Sequence, residues 1–218
     1  MKCEPMRILV LILVFFALVT AQGQPKRYTF VFLHHKPSAE KLPKDQVERL
    51  MNGHLANIER LAKEGKLIVA GPFEGGGGIF ILNTTSTKEA QEWLSSDPGI
   101  QSKRWDVEML PFSTRIGSLC LAKEPYEMVT YRFIRLTESQ SAPSAQLEEA
   151  LKKHQDFVSE QAENGNLISE GVFEPNGNVL ILRDTTSNNL ESDPAVKQGF
   201  LSAETKKLWI AKGSFCEK

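Results

Sequence analysis

Two histidines and two aspartates stand at matching places in this chain, and they are the side chains with most chemistry to offer. His54 is followed by Gly65, Leu67-Ile68, Gly71 and Phe73-Glu74, and His154 is followed at the same steps by Gly165, Leu167-Ile168, Gly171 and Phe173-Glu174. Asp97-Pro98 recurs as Asp193-Pro194. A histidine held against a carboxylate can act as a general base, because the carboxylate fixes the tautomer and stabilises the imidazolium. Each residue also has an ordinary reading. His54 falls on an apolar helical stripe, where a histidine is commonly a satisfied core or rim residue. An Asp-Pro at a helix end is commonly a turn former. The aspartate gains chemistry only if it reaches the His54 ring or lines the same pocket.

Other candidates carry weaker signals. Gly75-Gly-Gly-Gly78 lies between two strand-like runs and lacks the Lys-Ser/Thr of a phosphate-binding loop, so it reads as a hairpin turn. Its counterpart, Glu174-Pro-Asn-Gly-Asn178, reads likewise. Glu74 and Glu174 read as solvated charges. His34 and His35 alternate across a strand end, so only one can face a cleft. No cysteine or carboxylate spacing makes them a metal site with His54, and no metal or cofactor is expected. Asn83-Thr84-Thr85 is a glycosylation sequon, meaningful only in a eukaryotic secretory pathway.

The elements that must position these residues are also written twice. The offset between copies is 100 through Ile79–Leu82 and Val179–Leu182, then falls to 96 up to Gly117-Ser118-Leu119-Cys120 and Gly213-Ser214-Phe215-Cys216. One register with one local deletion points to tandem duplication. Tyr28–Leu33 is aromatic and β-branched and predicts a strand. Val47, Leu50, Met51, His54, Leu55, Ile58 and Leu61 recur at helical spacing, with Asp45 as the expected cap and Gly65 as terminator. Leu67–Ala70 and Ile79–Leu82 predict a hairpin. Thr87 is placed to cap a second helix over 88–95, which Asp97-Pro98 breaks, and a fourth strand is expected within Trp105–Phe112. The second copy repeats this order: strand Tyr126–Leu136, a helix marked by Leu147, Leu151, His154, Phe157 and Val158, hairpin Leu167–Phe173 with Val179–Leu182, a shortened second helix, and strand Lys207–Ala211. Residues 139–144 and 116–125 read as linking loops.

Each βαββαβ unit places two helices on one face of a four-stranded antiparallel sheet, leaving the other face to be covered. The expected fold class is α+β: two fused ferredoxin-like βαββαβ repeats, 27–116 and 126–216, pressed together as an intramolecular pseudo-dimer. Residues 1–21 read as a secretory signal peptide, with Lys2 and Arg7 before a 12-residue apolar run and Val19-Thr20-Ala21 before a cut. That run is shorter than the roughly 20 residues of a membrane span, though a membrane anchor is the alternative. Cleavage leaves 24 basic and 26 acidic residues with no basic cluster, which disfavours nucleic acid as a partner. The expected destination is secreted or periplasmic. Of the cysteines, Cys120 and Cys216 survive cleavage, at equivalent repeat ends. A disulfide between them and two separate free thiols both fit the sequence.

The run His54-Leu-Ala-Asn-Ile-Glu-Arg-Leu-Ala-Lys-Glu-Gly65-Lys-Leu-Ile-Val-Ala-Gly71-Pro72 resembles the hallmark of YCII-related (YciI-like) domains, and Asp97-Pro98 matches that family's second signature. The resemblance covers about residues 27–113 well and 126–216 more weakly. It implies a ferredoxin-like fold of the dimeric α/β-barrel kind and a catalytic His–Asp pair: His54 with Asp97, and His154 with Asp193. Some relatives act as lactone dehalogenases on chlorinated aromatics. This sequence departs from the family in having Met51-Asn52-Gly53, rather than an arginine, just before His54. Its second copy has Ser169-Glu170-Gly171-Val172 where the first has Val69-Ala70-Gly71-Pro72. Three functions follow as expectations: a small-molecule hydrolase or lyase, a non-catalytic small-molecule-binding module, or a structural secreted protein.

Overall fold

The computed structural model describes residues 26–139, 144–184 and 192–217. The signal peptide expected over 1–21 lies outside them. Among the described residues, eight strands and five helices run in the order β1 (Arg27–His35), α1 (Lys44–Lys63), β2 (Leu67–Pro72), β3 (Gly78–Leu82), α2 (Thr87–Leu94), α3 (Pro98–Gln101), β4 (Trp105–Ile116), β5 (Met128–Glu138), α4 (Ser144–Glu163), β6 (Leu167–Phe173), β7 (Asn178–Arg183), α5 (Pro194–Lys197) and β8 (Leu201–Ala211). All strands join one antiparallel sheet, ordered β2-β3-β1-β4-β6-β7-β5-β8. The fold is α+β. No helix among the described residues is long and apolar enough to cross a membrane.

The strand order within the first half, β2-β3-β1-β4, recurs in the second as β6-β7-β5-β8. The halves join where β4 pairs with β6 over Phe112–Ile116 and Glu170–Phe173. A Cβ on Gly171 would strike the Phe112 ring there, so this junction requires glycine. At the far side β2 and β8 meet through one bridge, Phe73 with Leu208.

The two faces of the sheet hold different cores. One gathers Phe30, Phe32 and Phe112 with Tyr131, Phe133 and Phe173, from both halves. The Phe30–Phe173 and Phe112–Phe173 ring centroids lie 5.2 and 5.6 Å apart, and such pairs contribute about 0.5–1.5 kcal/mol each beyond area burial. The opposite face packs helices: Val31, Leu33, Leu61, Phe80 and Leu94 in the first half, and Ile134, Leu136, Val158, Leu180 and Leu201 in the second.

Several local expectations need correction. Asp45 does not cap α1. The helix begins behind Pro43 with no side-chain cap, and Asp45 sits in its first turn, paired with Arg49 at 2.9 Å. Ser86, not Thr87, caps α2 by accepting from the Glu89 N–H. Asp97-Pro98 starts a further helical turn as well as ending the stretch before it. β4 and β8 run longer than expected, to Ile116 and from Leu201, and β5 starts at Met128 rather than Tyr126.

Candidate functional site

α1 buries a narrow stripe of His54, Asn57 and Leu61. These positions fall on one side of a 3.6-residue helix, so His54 and Asn57 point the same way one turn apart. Gly65, at φ +68°, ends the run. α3 then docks against this stripe. A Cβ on Gly53 would come within 2.8 Å of Pro98 Cγ. The missing side chain thus lets α3 approach α1 and brings Asp97 onto His54. Gly99 plays a matching part on the other side, because a Cβ there would strike the Trp105 ring.

Asp97 is fully buried, and His54 is 6 % exposed. His54 Nδ1 lies 2.8 Å from Asp97 Oδ2 and 3.0 Å from Oδ1. Asn57 Nδ2 donates to Oδ2 at 3.0 Å. The backbone N–H groups of Gly99 and Ile100 donate to Oδ1 at 2.9 and 3.2 Å. Behind Asn57, its Oδ1 accepts from Arg60 at 2.7 Å and from Ser96 Oγ at 3.3 Å. Burial alone would raise the Asp97 carboxyl. The His54 hydrogen bond and charge, the Ile100 N–H and Asn57 outweigh it, and the net pKa lies below the ordinary carboxylate value. An ionised carboxylate only accepts, so Nδ1 of His54 must carry a proton. In the neutral ring, Nε2 then holds the lone pair and is the atom left for a substrate. The ring packs against Trp105, with centroids 4.9 Å apart, and against Phe80 at 5.8 Å.

The second copy repeats the pair in a tighter setting. His154 Nδ1 is 2.5 Å from Asp193 Oδ2, and Asp193 Oδ1 caps α5 through the Ala195 and Val196 N–H groups at 2.9 and 3.4 Å. His154 is 1 % exposed, and its buried Nε2 has no hydrogen-bond partner among the described residues. Counting along α4 as along α1, Phe157 stands where Asn57 does, and Lys153 where Gly53 does. Leu201 opens β8 where Trp105 opens β4. Among the described residues, no side-chain amide reaches the carboxylate in this half and no indole packs on the histidine.

The other singled-out residues lie elsewhere. Cys120 and Cys216 are joined as a disulfide, Cα atoms 5.2 Å apart, tying the link between halves to the C-terminal segment. Gly75–Gly77 have positive φ and form the β2–β3 turn. Glu74 and Glu174 are exposed; Glu74 pairs loosely with Lys207 at 3.7 Å, and Glu174 pairs with Arg27 at 3.1 Å. His34 faces the aromatic core rather than His54. It stacks on Phe32 and bonds Glu108 at 2.7 Å. Glu108 also takes a bidentate contact from Arg135 of the second half, 2.8 Å to each oxygen. Sequence reasoning missed this cross-half cluster, and it missed the buried Glu170 held by Arg115 and Asn178. It also missed Asn57, Trp105 and Gly53 around the first pair. Asn57 stood three residues beyond His54 on the same helix face, a signal that could have found it.

Residues 29–113 match the YCII-related domain family. No curated protein matches the sequence. A provisionally assigned monooxygenase of Fusobacterium nucleatum shares the fold with a TM-score of 0.53 and 8 % identity, over 87 % of this chain and 94 % of that one. A provisionally assigned chlorite dismutase gives a TM-score of 0.50 and 8 % identity, over 85 % and 94 %. At such identities the likeness speaks for the fold alone.

Proposed function

We propose that the YCII-related domain at residues 29–113 is a small-molecule enzyme centre in which His54 is the general acid–base and Asp97 orients and charge-stabilises it. The carrying observation is the buried carboxylate 2.8 Å from Nδ1, which leaves Nε2 of a slightly exposed ring as the group able to move a proton. With Nε2 unprotonated, His54 can take a proton from an attacking water or from an acidic C–H of the substrate. In lactone hydrolysis the protonated ring then returns that proton to the leaving ring oxygen; in dehalogenation the electron pair of the broken C–H bond forms the new double bond as chloride leaves with the C–Cl pair, and the ring later gives its proton to water. The two steps suit a hydrolase or lyase reaction of the lactone or dehalogenase type on a small organic acid, lactone or halogenated ring. No metal or other cofactor enters this scheme.

The chain is further proposed to be an exported protein, secreted or periplasmic, built from duplicated repeats 27–116 and 126–216 packed as a barrel-like pseudo-dimer. The matching spans of α1 and α4, one hundred residues apart, and the recurring strand order support the duplication, and Lys2 and Arg7 before the apolar run support export. In this proposal His154–Asp193 plays a lesser part than the first pair, a reading supported by the closed setting of His154, whose Nε2 has no hydrogen-bond partner among the described residues.

A second reading rests on Asp97's other bonds. The same carboxylate caps α3 and clasps it to α1, as a structural or non-catalytic binding module would use it. A panel of small lactones and chlorinated organic acids, followed by acid and chloride release, separates the two. The enzyme reading expects turnover of at least one compound by the wild type, lost in a folded His54→Ala. No turnover across the panel, turnover retained in His54→Ala, or failure of that variant to fold would each remove the catalytic assignment.

A further inference from the structure

The two junctions between the halves are built from corresponding strands and yet differ. At β4–β6 the ladder runs Phe112↔Phe173, Ser113↔Val172, Thr114↔Gly171 and on to Ile116↔Glu170. At β8–β2 it is reduced to the Phe73↔Leu208 bridge and one hydrogen bond from the Glu74 N–H to the Lys207 carbonyl at 2.9 Å. The antiparallel register places Pro72 opposite Trp209. Pro72 has no N–H to give to the facing strand, so the ladder cannot continue. A cavity of about 280 Å³ opens at that point, lined by Pro72, Phe73, Glu74, Thr130, Lys207 and Trp209.

The lining defines what could fill it. Trp209 is 52 % exposed, its indole presented to solvent from a paired stretch near the end of β8. Thr130 lies directly across from it on β5. Glu74 and Lys207 stand at the rim 3.7 Å apart, too loosely paired to satisfy each other, and both are open to solvent. The rim thus offers an acceptor, a donor and a hydroxyl that is both, with charges that cancel. A net anion or cation would meet as much repulsion as attraction. A neutral ligand with one apolar face and several hydroxyls would satisfy every group at once, and the volume, at the small end for ligand pockets, suits a single ring.

We propose that this junction pocket is a saccharide-binding subsite that takes one pyranose ring, its C–H face on Trp209 and its hydroxyls on Glu74, Lys207 and Thr130. It shares no residue with the His54–Asp97 pair, so it stands or falls independently of the enzyme reading.

The full chain contains three tryptophans, and their indole N–H signals in a ¹⁵N spectrum can be assigned with Trp209→Phe. The probes are D-glucose, D-galactose, D-mannose and N-acetyl-D-glucosamine, with choline and acetate as charged controls. At least one sugar should shift the Trp209 signal saturably, with a Kd on the order of millimolar, while the Trp93 signal stays in place. Glu74→Gln and Lys207→Met should each weaken that binding by about tenfold or more. Both residues are exposed, so both variants should fold as the wild type does. Absence of any sugar shift up to about 100 mM would overturn the proposal. So would a response to choline or acetate as strong as the response to sugar, or sugar binding indifferent to both substitutions.

Discussion

Replacing Asp97 by asparagine separates two jobs that one carboxylate performs. The asparagine would keep an Oδ1 for the N–H groups of Gly99 and Ile100, now held at 2.9 and 3.2 Å, and asparagine caps helices about as well as aspartate. Its amide NH2 would sit where Oδ2 accepts from His54 at 2.8 Å and Asn57 at 3.0 Å. Donors would then face donors in a site with no exposure. Losing a hydrogen bond to a charged group costs about 1.5–3 kcal/mol, so Asp97→Asn should destabilise by about 2–3 kcal/mol. Asp97→Ala loses the cap as well, worth about 0.5–2 kcal/mol, and should cost about 3–5 kcal/mol. Urea melts at pH 7 measure both. In Asp97→Asn the imidazole also loses the partner that holds Nδ1–H, and any turnover should fall by about 10²-fold or more. An asparagine variant within about 0.5 kcal/mol of wild type would refute the reasoning, since the charged contact would then carry nothing. Equal losses in the two variants would refute the separate capping role.

Three further outcomes follow from other parts of the structure. Glu108 is held down to about 2 from its ordinary 4.5, by the Arg135 hydrogen bonds first, against burial, and then by His34; a depressed carboxyl stabilises the fold above its unfolded pKa, so this contribution should be intact above pH 4.5 and fade as the pH falls towards 2. Glu108 is about one-third exposed, so solvent screening leaves roughly 1–2 kcal/mol, and acid melts of Glu108→Gln should lack this fading step; identical acid profiles would contradict it. Removing the disulfide with Cys120→Ser or Cys216→Ser opens a loop spanning 96 residues and should cost about 2–5 kcal/mol in oxidising buffer, whereas an unchanged melting curve would mean that the bridge does not constrain the unfolded chain. Gly53→Ala gains about 1 kcal/mol of helix propensity but forces Pro98 away from an ideal Cβ contact of 2.8 Å, at an overpacking cost of about 1–3 kcal/mol; the melting temperature should fall and turnover should weaken as Asp97 is carried off His54, while a stabilised, fully active variant would show that α3 has room to move.

The sequence made the element order of both halves readable because strand and helix periods are local properties. It placed His54 on a buried helix face for the same reason. The β2–β3 hairpin was readable from its glycines. What lay beyond it was set by contacts distant in sequence. Nothing near Asp97 announces that Gly53, 44 positions earlier, leaves room for Pro98. Trp105 read as a strand residue, and its place beside the His54 ring depends on how β4 meets α1. Ser86 and Thr87 are both good caps, and only the backbone path after β3 decides between them. β8 carries Lys206, Lys207 and Glu204 among its apolar residues, so its charged first half disguised a strand paired along its full length with β5. Arg135 also defied pattern reasoning. A charge on the aromatic face of a strand looks misplaced until Glu108 arrives from the other half.

In the proposed enzyme the first His–Asp pair carries the chemistry and the second contributes little. The most direct test of this division is kcat/KM for His54→Gln and His154→Gln, each normalised to folded protein, on whichever lactone or chlorinated acid the wild type turns over best. His54→Gln should lose about 10²-fold or more, while the folded fraction of His154→Gln keeps activity close to wild type. Equal losses in both variants, or a loss confined to His154→Gln, would contradict it.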